Sequence, residues 1–125
     1  MISLPPSVKI FLATQPVDMR KSFDGLEALV EQFLEADPLS GHLFVFRGKR
    51  GDRLKILYWD RDGLAIWYRR WEVGTVVFPA AKENQRRIEV QPAELAMLLD
   101  GIDLTSVRRR KRYQRSAGRR KIAAF

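Results

Sequence analysis

Residues 42–71 constrain the fold more than any other part of this 125-residue chain. Three apolar and aromatic runs (42–46, 54–59 and 64–68) are separated by two short segments, each of which contains Gly and Asp. β-branched and aromatic residues at this density favour strands, whereas Gly and Asp favour turns. The pattern therefore predicts a three-stranded antiparallel meander.

The flanking segments predict the remaining elements. Residues 8–13 are expected to form a first strand, and the apolar stripe of residues 22–35 has the spacing of a helix that packs on a sheet. Residues 73–78 and 86–90 suggest another hairpin, and a short helix should begin at Pro92. The predicted class is α+β: an antiparallel sheet of four to six strands, covered on one face by the first helix. The second helix is expected at an edge, which leaves the second face available for interactions.

Charge is distributed unevenly along the chain. Residues 1–100 contain 14 Lys or Arg and 14 Asp or Glu, whereas residues 101–125 contain 9 basic residues and only Asp103, so the formal charge of +8 belongs to the C-terminus. We expect residues 1–104 to form one α+β domain and residues 105–125 to form a basic, extended or disordered tail.

Clustered cations are the strongest functional signal. A cationic tail gains affinity for phosphates through counterion release, although a solubilising role is the alternative. The basic hairpin tip, residues 47–53, and two arginines after the third run could extend the footprint. The predicted nucleic-acid-binding residues are Arg47, Lys49, Arg50, Arg53, Arg69, Arg70, Arg108, Arg109, Arg110, Lys111, Arg112, Arg115, Arg119, Arg120 and Lys121.

Several segments together resemble a known family. Residues 17–26 (VDMRKSFDGL), 37–41 (DPLSG), 42–71 and 94–103 are similar to segments of the small accessory proteins of bacterial transposable elements of insertion-sequence family sixty-six, called TnpB or second-open-reading-frame proteins. The resemblance covers roughly residues 8–104. It implies a role in transposition beside a separate protein that carries the transposase chemistry. The family-motif residues are Asp18, Met19, Arg20, Lys21, Phe23, Asp24 and Gly25.

This family motif has two interpretations at the entry to the first helix. Its basic residues and the free N–H groups of a helix N-terminus could bind a phosphate or a partner. Alternatively, Asp18 and Asp24 could stabilise the helix by capping and by interaction with its dipole, which we favour. Gly25 is expected to permit close backbone packing.

The aromatic residues of the meander also have two interpretations. Aromatic rings on an open sheet face can stack on unpaired bases, but they more often belong to a core. We expect about half of them to be buried under the first helix. The residues concerned are Tyr58, Trp59, Trp67, Tyr68 and Trp71.

Catalytic motifs are absent from the sequence. Asp52, Asp60 and Asp62 could be imagined as metal ligands, but turns favour Asp in any case, and His42 is the only His. No nucleophile elbow, phosphate loop or paired-glutamate motif is present. We therefore expect no enzymatic activity, no metal and no cofactor.

The absence of Cys suits a reducing cytoplasm, and the N-terminus does not resemble a signal peptide. No apolar run approaches the roughly 20 residues of a membrane helix. The resulting expectation is a cytoplasmic, non-catalytic accessory protein of DNA transposition. It would bind DNA through the tail and hairpin and contact the transposase or another accessory subunit. A pure protein–protein adaptor and a cryptic metal-dependent nuclease are the alternatives.

Overall fold

A computed structural model describes residues 5–101, so the predicted tail and its cations lie outside the described residues. The elements are β1 (Ile10–Ala13), α1 (Phe23–Gln32), β2 (Leu43–Arg47), β3 (Arg53–Asp60), β4 (Gly63–Arg70), β5 (Arg87–Val90) and α2 (Pro92–Leu99). The strands form one sheet in the order β4-β3-β2-β1-β5, which confirms the α+β class. Neither helix of this part of the chain is long and apolar enough to cross a membrane.

The sheet is mixed, so the prediction of a purely antiparallel sheet was wrong. β2, β3 and β4 pair antiparallel in chain order. β1 and β2 instead run parallel, with Ile10 opposite Leu43. The difference arises because α1 lies between them in the chain, and a strand–helix–strand connection returns the second strand in the direction of the first.

The second predicted hairpin does not form. Residues 73–78 contain no strand, and β5 instead pairs antiparallel with β1, with Ile10 opposite Val90. The segment 73–78 packs on the sheet through Val76, which is buried and donates its backbone N–H to the Gly51 carbonyl at 2.7 Å. The β-branched residues of this segment therefore contribute to the core without joining the sheet.

One face of the sheet packs against α1. Leu26, Val30 and Leu34 lie in one apolar cluster with side chains of β2 and β3. The helix ends at Gln32, three residues before the predicted end. Glu35 adopts a left-handed φ of 55°, and the N–H of Ala36 bonds back to the carbonyl of Val30 at 3.0 Å. The N–H of Leu34 also bonds to the carbonyl of Leu29 at 2.9 Å, and such a 6→1 bond is typical of a helix terminus.

The opposite face is covered by α2, contrary to the prediction that this helix lies at an edge. Leu95, Leu98 and Leu99 are buried there, in a cluster with residues of β1, β2 and β3. The second face is therefore part of the core and is not an open interaction surface. α2 is terminated by Gly101, whose φ of 78° is the left-handed conformation common after a helix C-terminus.

The aromatic residues are divided between the two faces. Tyr58, Trp67 and Trp71 pack with the cluster beneath α2. The expectation that about half of the five aromatic residues are buried under the first helix was therefore wrong for these three. Tyr68 is on the α1 side and is 49% exposed. The three packed rings stabilise the core, which removes them as a stacking platform for bases.

Truncation of Leu98 tests whether α2 is integral to the core. Leu98→Ala should lower the free energy of unfolding by about 2–5 kcal/mol, because a fully buried leucine is lost and a cavity remains. Leu39→Ala removes the same atoms from a side chain that is 49% exposed and should change stability by less than about 1 kcal/mol. Urea denaturation measures both, and equal effects would contradict the packing of α2.

Candidate nucleic-acid interface

Two loops that are distant in sequence lie side by side at one end of the sheet. The motif loop, residues 14–22, connects β1 to α1, and the basic hairpin tip, residues 47–53, connects β2 to β3. Between them is an open groove of about 440 Å³. Its lining residues are Pro16, Val17, Asp18, Met19, Gly48, Lys49, Arg50, Asp52 and Arg53. The fold thus brings part of the family motif together with three of the predicted cations.

The motif loop packs closely on the start of the hairpin tip. The Val17 N–H donates to the Arg47 carbonyl at 2.9 Å. A Cβ atom at Gly48 would lie 2.8 Å from Cγ of Met19, closer than real contacts allow. Glycine at position 48 therefore lets the Met19 side chain lie directly on the backbone of the hairpin.

Lys55 fixes the motif loop from below. This β3 residue is only 7% exposed, and its Nζ donates to the carbonyl oxygens of Met19 at 2.9 Å and Lys21 at 2.7 Å. The ammonium also lies 4.6 Å from the ring centroid of Tyr68. Burial of a charged group is costly unless it is paired, and here two carbonyl dipoles and a ring face provide that pairing.

Sequence reasoning missed Lys55, although the sequence contains a signal for it. Lys55 interrupts the apolar run Leu54–Leu57, and alternation places it on the same face as Leu57, which belongs to the α1 cluster. A lysine that faces a core needs oxygen partners, and a loop that crosses the end of the sheet can supply them.

The hairpin tip is held from its other side by the segment after β4. Gly51 has a φ of 77°, and a Cβ there would lie 3.2 Å from both Cβ of Thr75 and the Val76 carbonyl oxygen. The Trp71 N–H donates to the Asp52 carbonyl at 2.8 Å. The tip is therefore clamped between two segments while Lys49 and Arg50 remain exposed, which fixes the backbone that carries these cations.

Asp18 is paired within the motif loop. Its carboxylate accepts hydrogen bonds from the Arg20 guanidinium at 2.7 Å and from the Arg20 backbone N–H at 2.9 Å. These hydrogen bonds hold the pKa of the Asp18 carboxyl far below its usual range, so it remains ionised at neutral pH. Because Arg20 balances Asp18, Asp52 offsets one of the three groove cations Lys49, Arg50 and Arg53, and the groove keeps a net positive charge.

The expected helix-capping role of this cluster is met only in part. The N-cap residue of α1 is Ser22, which makes no side-chain capping bond, and Asp24 lies in the first turn, where an acid interacts favourably with the helix dipole. A Cβ at Gly25 would lie 3.2 Å from Cβ and Cγ of Lys21. Gly25 thus leaves room for the Lys21 side chain and not, as expected, for a neighbouring backbone. Phe23, another residue of the motif, is 44% exposed.

The predicted cations that belong to the strands lie on both faces of the sheet. Arg53 is directly opposite Arg70 on the face that α1 covers, and like charges in such a pair repel each other. Arg70 is also bonded to Glu72 at 3.0 Å. Arg47 and Arg69 belong to the other face, where their guanidinium groups lie 5.4 Å and 5.1 Å from the rings of Phe78 and Trp71, respectively. These two are therefore structural cations rather than part of the groove.

The three aspartates weighed as metal ligands do not converge. Asp52 precedes β3, whereas Asp60 ends it and Asp62 follows. Asp52 and Asp60 are eight residues apart along an extended strand, which separates them by about 26 Å. Within residues 5–101, no group of three or more His, Cys, Asp or Glu side chains could hold a metal ion.

Comparison with known proteins identifies the family. Residues 8–109 match the family described as IS66 Orf2 like protein, so the chain belongs to that family. It is 42% identical over 110 residues to uncharacterized protein y4jC of Sinorhizobium fredii, covering 88% of this chain and 92% of that protein. It is 38% identical over 103 residues to uncharacterized protein y4hO of the same organism, covering 82% of this chain and 88% of that protein. No solved structure gives a significant match.

Family membership confirms the resemblance and indicates an accessory role in transposition. The matched region includes the motif loop, the hairpin tip and β3, so every part of the groove described above lies within the family domain.

Replacement of Lys55 tests its role as the support of the motif loop. Lys55→Met keeps the length of the side chain but leaves the Met19 and Lys21 carbonyls without their donor, which should cost about 1–3 kcal/mol. Backbone amides of residues 17–21 should then exchange with solvent faster, whereas those of β2 remain protected. Lys9→Met, at an exposed lysine, is the control. Unchanged exchange in the motif loop would show that Lys55 does not hold it.

Proposed function

We propose that this protein is a non-catalytic accessory factor of transposition that contacts the nucleic-acid backbone. The groove between the motif loop and the hairpin tip would bind phosphates, and the basic tail would supply further contacts. The body would at the same time contact the transposase or another protein encoded by the element.

The observation that carries this proposal is the position of the cations around the groove. Lys49, Arg50 and Arg53 extend from a tip that is clamped on both sides, and the acid nearest to them in the motif loop, Asp18, is already paired with Arg20. A fixed cluster of cations beside a concave surface attracts an anion without first having to be ordered. Phosphate oxygens are anions that such a cluster can bind repeatedly along a strand.

Residues 105–125 are proposed as the second contact on the basis of charge alone. They contain all 9 basic residues of the C-terminal 25 residues, against no acid. Flexible cationic segments contact phosphates, which are identical at every base pair, so this contact contributes affinity rather than sequence specificity.

A salt titration separates the two contacts. If about five tail cations engage duplex phosphates, log K should fall with log salt at a slope of roughly −4 to −5. Replacement of residues 108–112 by Ala should flatten the slope and weaken binding equally on all DNA sequences. Replacement of Lys49, Arg50 and Arg53 by Ala should have a smaller effect, reducing the slope by at most about 3. Fluorescence anisotropy measures the affinity and the salt slope of both variants.

A matched triple variant controls for the overall loss of charge. Lys9→Ala, Arg61→Asn and Lys82→Ala remove three exposed cations away from the groove, and Asn suits the left-handed φ of 61° at position 61. This variant should bind like the wild type. Unchanged affinity and salt slope in both the tail and the tip variants would overturn the proposal and favour a pure protein–protein adaptor. A pull-down with the element's other proteins, with and without end DNA, would detect such an adaptor.

The non-catalytic part of the proposal has its own test. Purified protein with Mg²⁺ or Mn²⁺ should leave supercoiled DNA intact, because Asp52 lies at the opposite end of β3 from Asp60 and Asp62. Nicking that is abolished by Asp60→Asn together with Asp62→Asn would show that the protein is a metal-dependent nuclease.

A further inference from the structure

β4 forms one edge of the sheet and has a partner on only one side. It pairs over its full eight residues with β3. Within residues 5–101, no other segment makes a backbone hydrogen bond to its outer side. Such an edge presents a row of free N–H and C=O groups that can accept another strand.

The register identifies which residues present these groups. The Trp71 N–H bonds to the Asp52 carbonyl, so 71 and 52 form a hydrogen-bonded pair. Hydrogen-bonded pairs alternate along an antiparallel ladder, so the odd-numbered residues of β4 bond to β3. The backbone groups of the even-numbered residues therefore point outward: Leu64, Ile66, Tyr68 and Arg70.

The β4 edge lacks the features that normally prevent pairing. From Gly63 to Tyr68 it contains neither a charged residue nor a proline, and its residues pair with β3 without a bulge. The opposite edge is different, because β5 has only four residues and two of them, Arg87 and Glu89, are charged. The two edges are thus unequal, and β4 is the one suited to pairing.

We propose that β4 pairs antiparallel with β4 of a second copy of this chain, about a two-fold axis at Ile66. In this register Ile66 faces its own copy, and Leu64 faces Tyr68 of the partner subunit, an aliphatic–aromatic pair. Asp62, just before the strand, faces Arg70 of the partner subunit. The ten strands of the two copies form one continuous sheet.

Side-chain size and charge select this register. On the α2 side, Ala65 faces Trp67 of the partner subunit, so a small residue lies opposite a large one. Each copy supplies an acid opposite a base, so that Arg70, which already bonds to Glu72 of its own chain, gains a second carboxylate beside the like-charged Arg53. Moving the axis by one residue, to Trp67, would oppose two tryptophans and place Asp62 against Glu72 of the partner subunit. Charge complementarity therefore favours the axis at Ile66.

Engineered cysteines test both the pairing and its register, because the natural chain contains none. Residues 63 and 69 would lie opposite each other in a non-hydrogen-bonded pair, with Cα atoms about 4.5 Å apart, a separation that a disulfide spans. Within one copy they are about 20 Å apart along the strand and cannot bond. Both sites tolerate Cys, since Gly63 has open space around it and Arg69 is exposed.

Gly63→Cys with Arg69→Cys in the full chain should form a covalent dimer on mild oxidation, whereas each single variant should stay uncrosslinked. Light scattering of the wild type, without nucleic acid, should give twice the 14.5 kDa monomer mass on concentration. Crosslinking of a single variant as readily as the double would refute the register. A monomer at every concentration would refute the pairing and indicate that the edge is free or covered by the chain's own tail.

A charge exchange provides the matched control. Asp62→Arg or Arg70→Glu alone places like charges opposite each other at two symmetric positions and should raise the dimer dissociation constant about tenfold. The double variant restores both pairs and should recover the wild-type value. Failure of the double variant to recover would contradict the proposed contact, and the measurement is independent of nucleic-acid binding.

Discussion

The groove depends on one buried ammonium group. Lys55 lies near the start of β3 and bonds to the carbonyls of Met19 and Lys21, so the loop between β1 and α1 is anchored to β3 rather than only to its own ends. A charge with 7% exposure is costly to bury, and the loop is the source of the oxygens that compensate it. Together with the Val17–Arg47 hydrogen bond and the Met19–Gly48 contact, the burial of this side chain sets the position of the motif loop beside the hairpin tip.

The same arrangement separates the cations of this protein into two kinds. Lys55 and Arg47 are used inside the fold, where they contact carbonyl oxygens or an aromatic ring, whereas Arg69 is exposed and lies over the Trp71 ring. Lys49 and Arg50 are exposed on a tip whose backbone is fixed by Gly48 and Gly51. Cations of the second kind are free to meet an anion, and a rigid backbone lowers the entropic cost of doing so. Charge counted along the sequence cannot make this distinction, because it depends on which face each residue occupies.

Local patterns predicted the elements well but not all of their pairings. The alternation of residues 42–71 and the stripe on α1 placed three strands and a helix close to their observed positions. Two properties are set by competition between distant segments: the pairing of β5 with β1 and the burial of the second face by α2. The order strand, helix, strand did contain the parallel pairing, since such a connection produces it. The proximity of the motif loop to the hairpin tip had no local signal apart from Lys55.

The free edge and the groove are related by geometry. In an antiparallel pair about an axis at Ile66, the α1 faces of the two copies lie on the same side of the continuous sheet. Arg70 marks the end of β4 beside the hairpin tip, and it would lie eight residues from Arg70 of the partner subunit, roughly 26 Å along the strands. If the groove binds phosphates as proposed, pairing at β4 would join two such contacts in one dimer, and affinity would rise because the second contact becomes intramolecular.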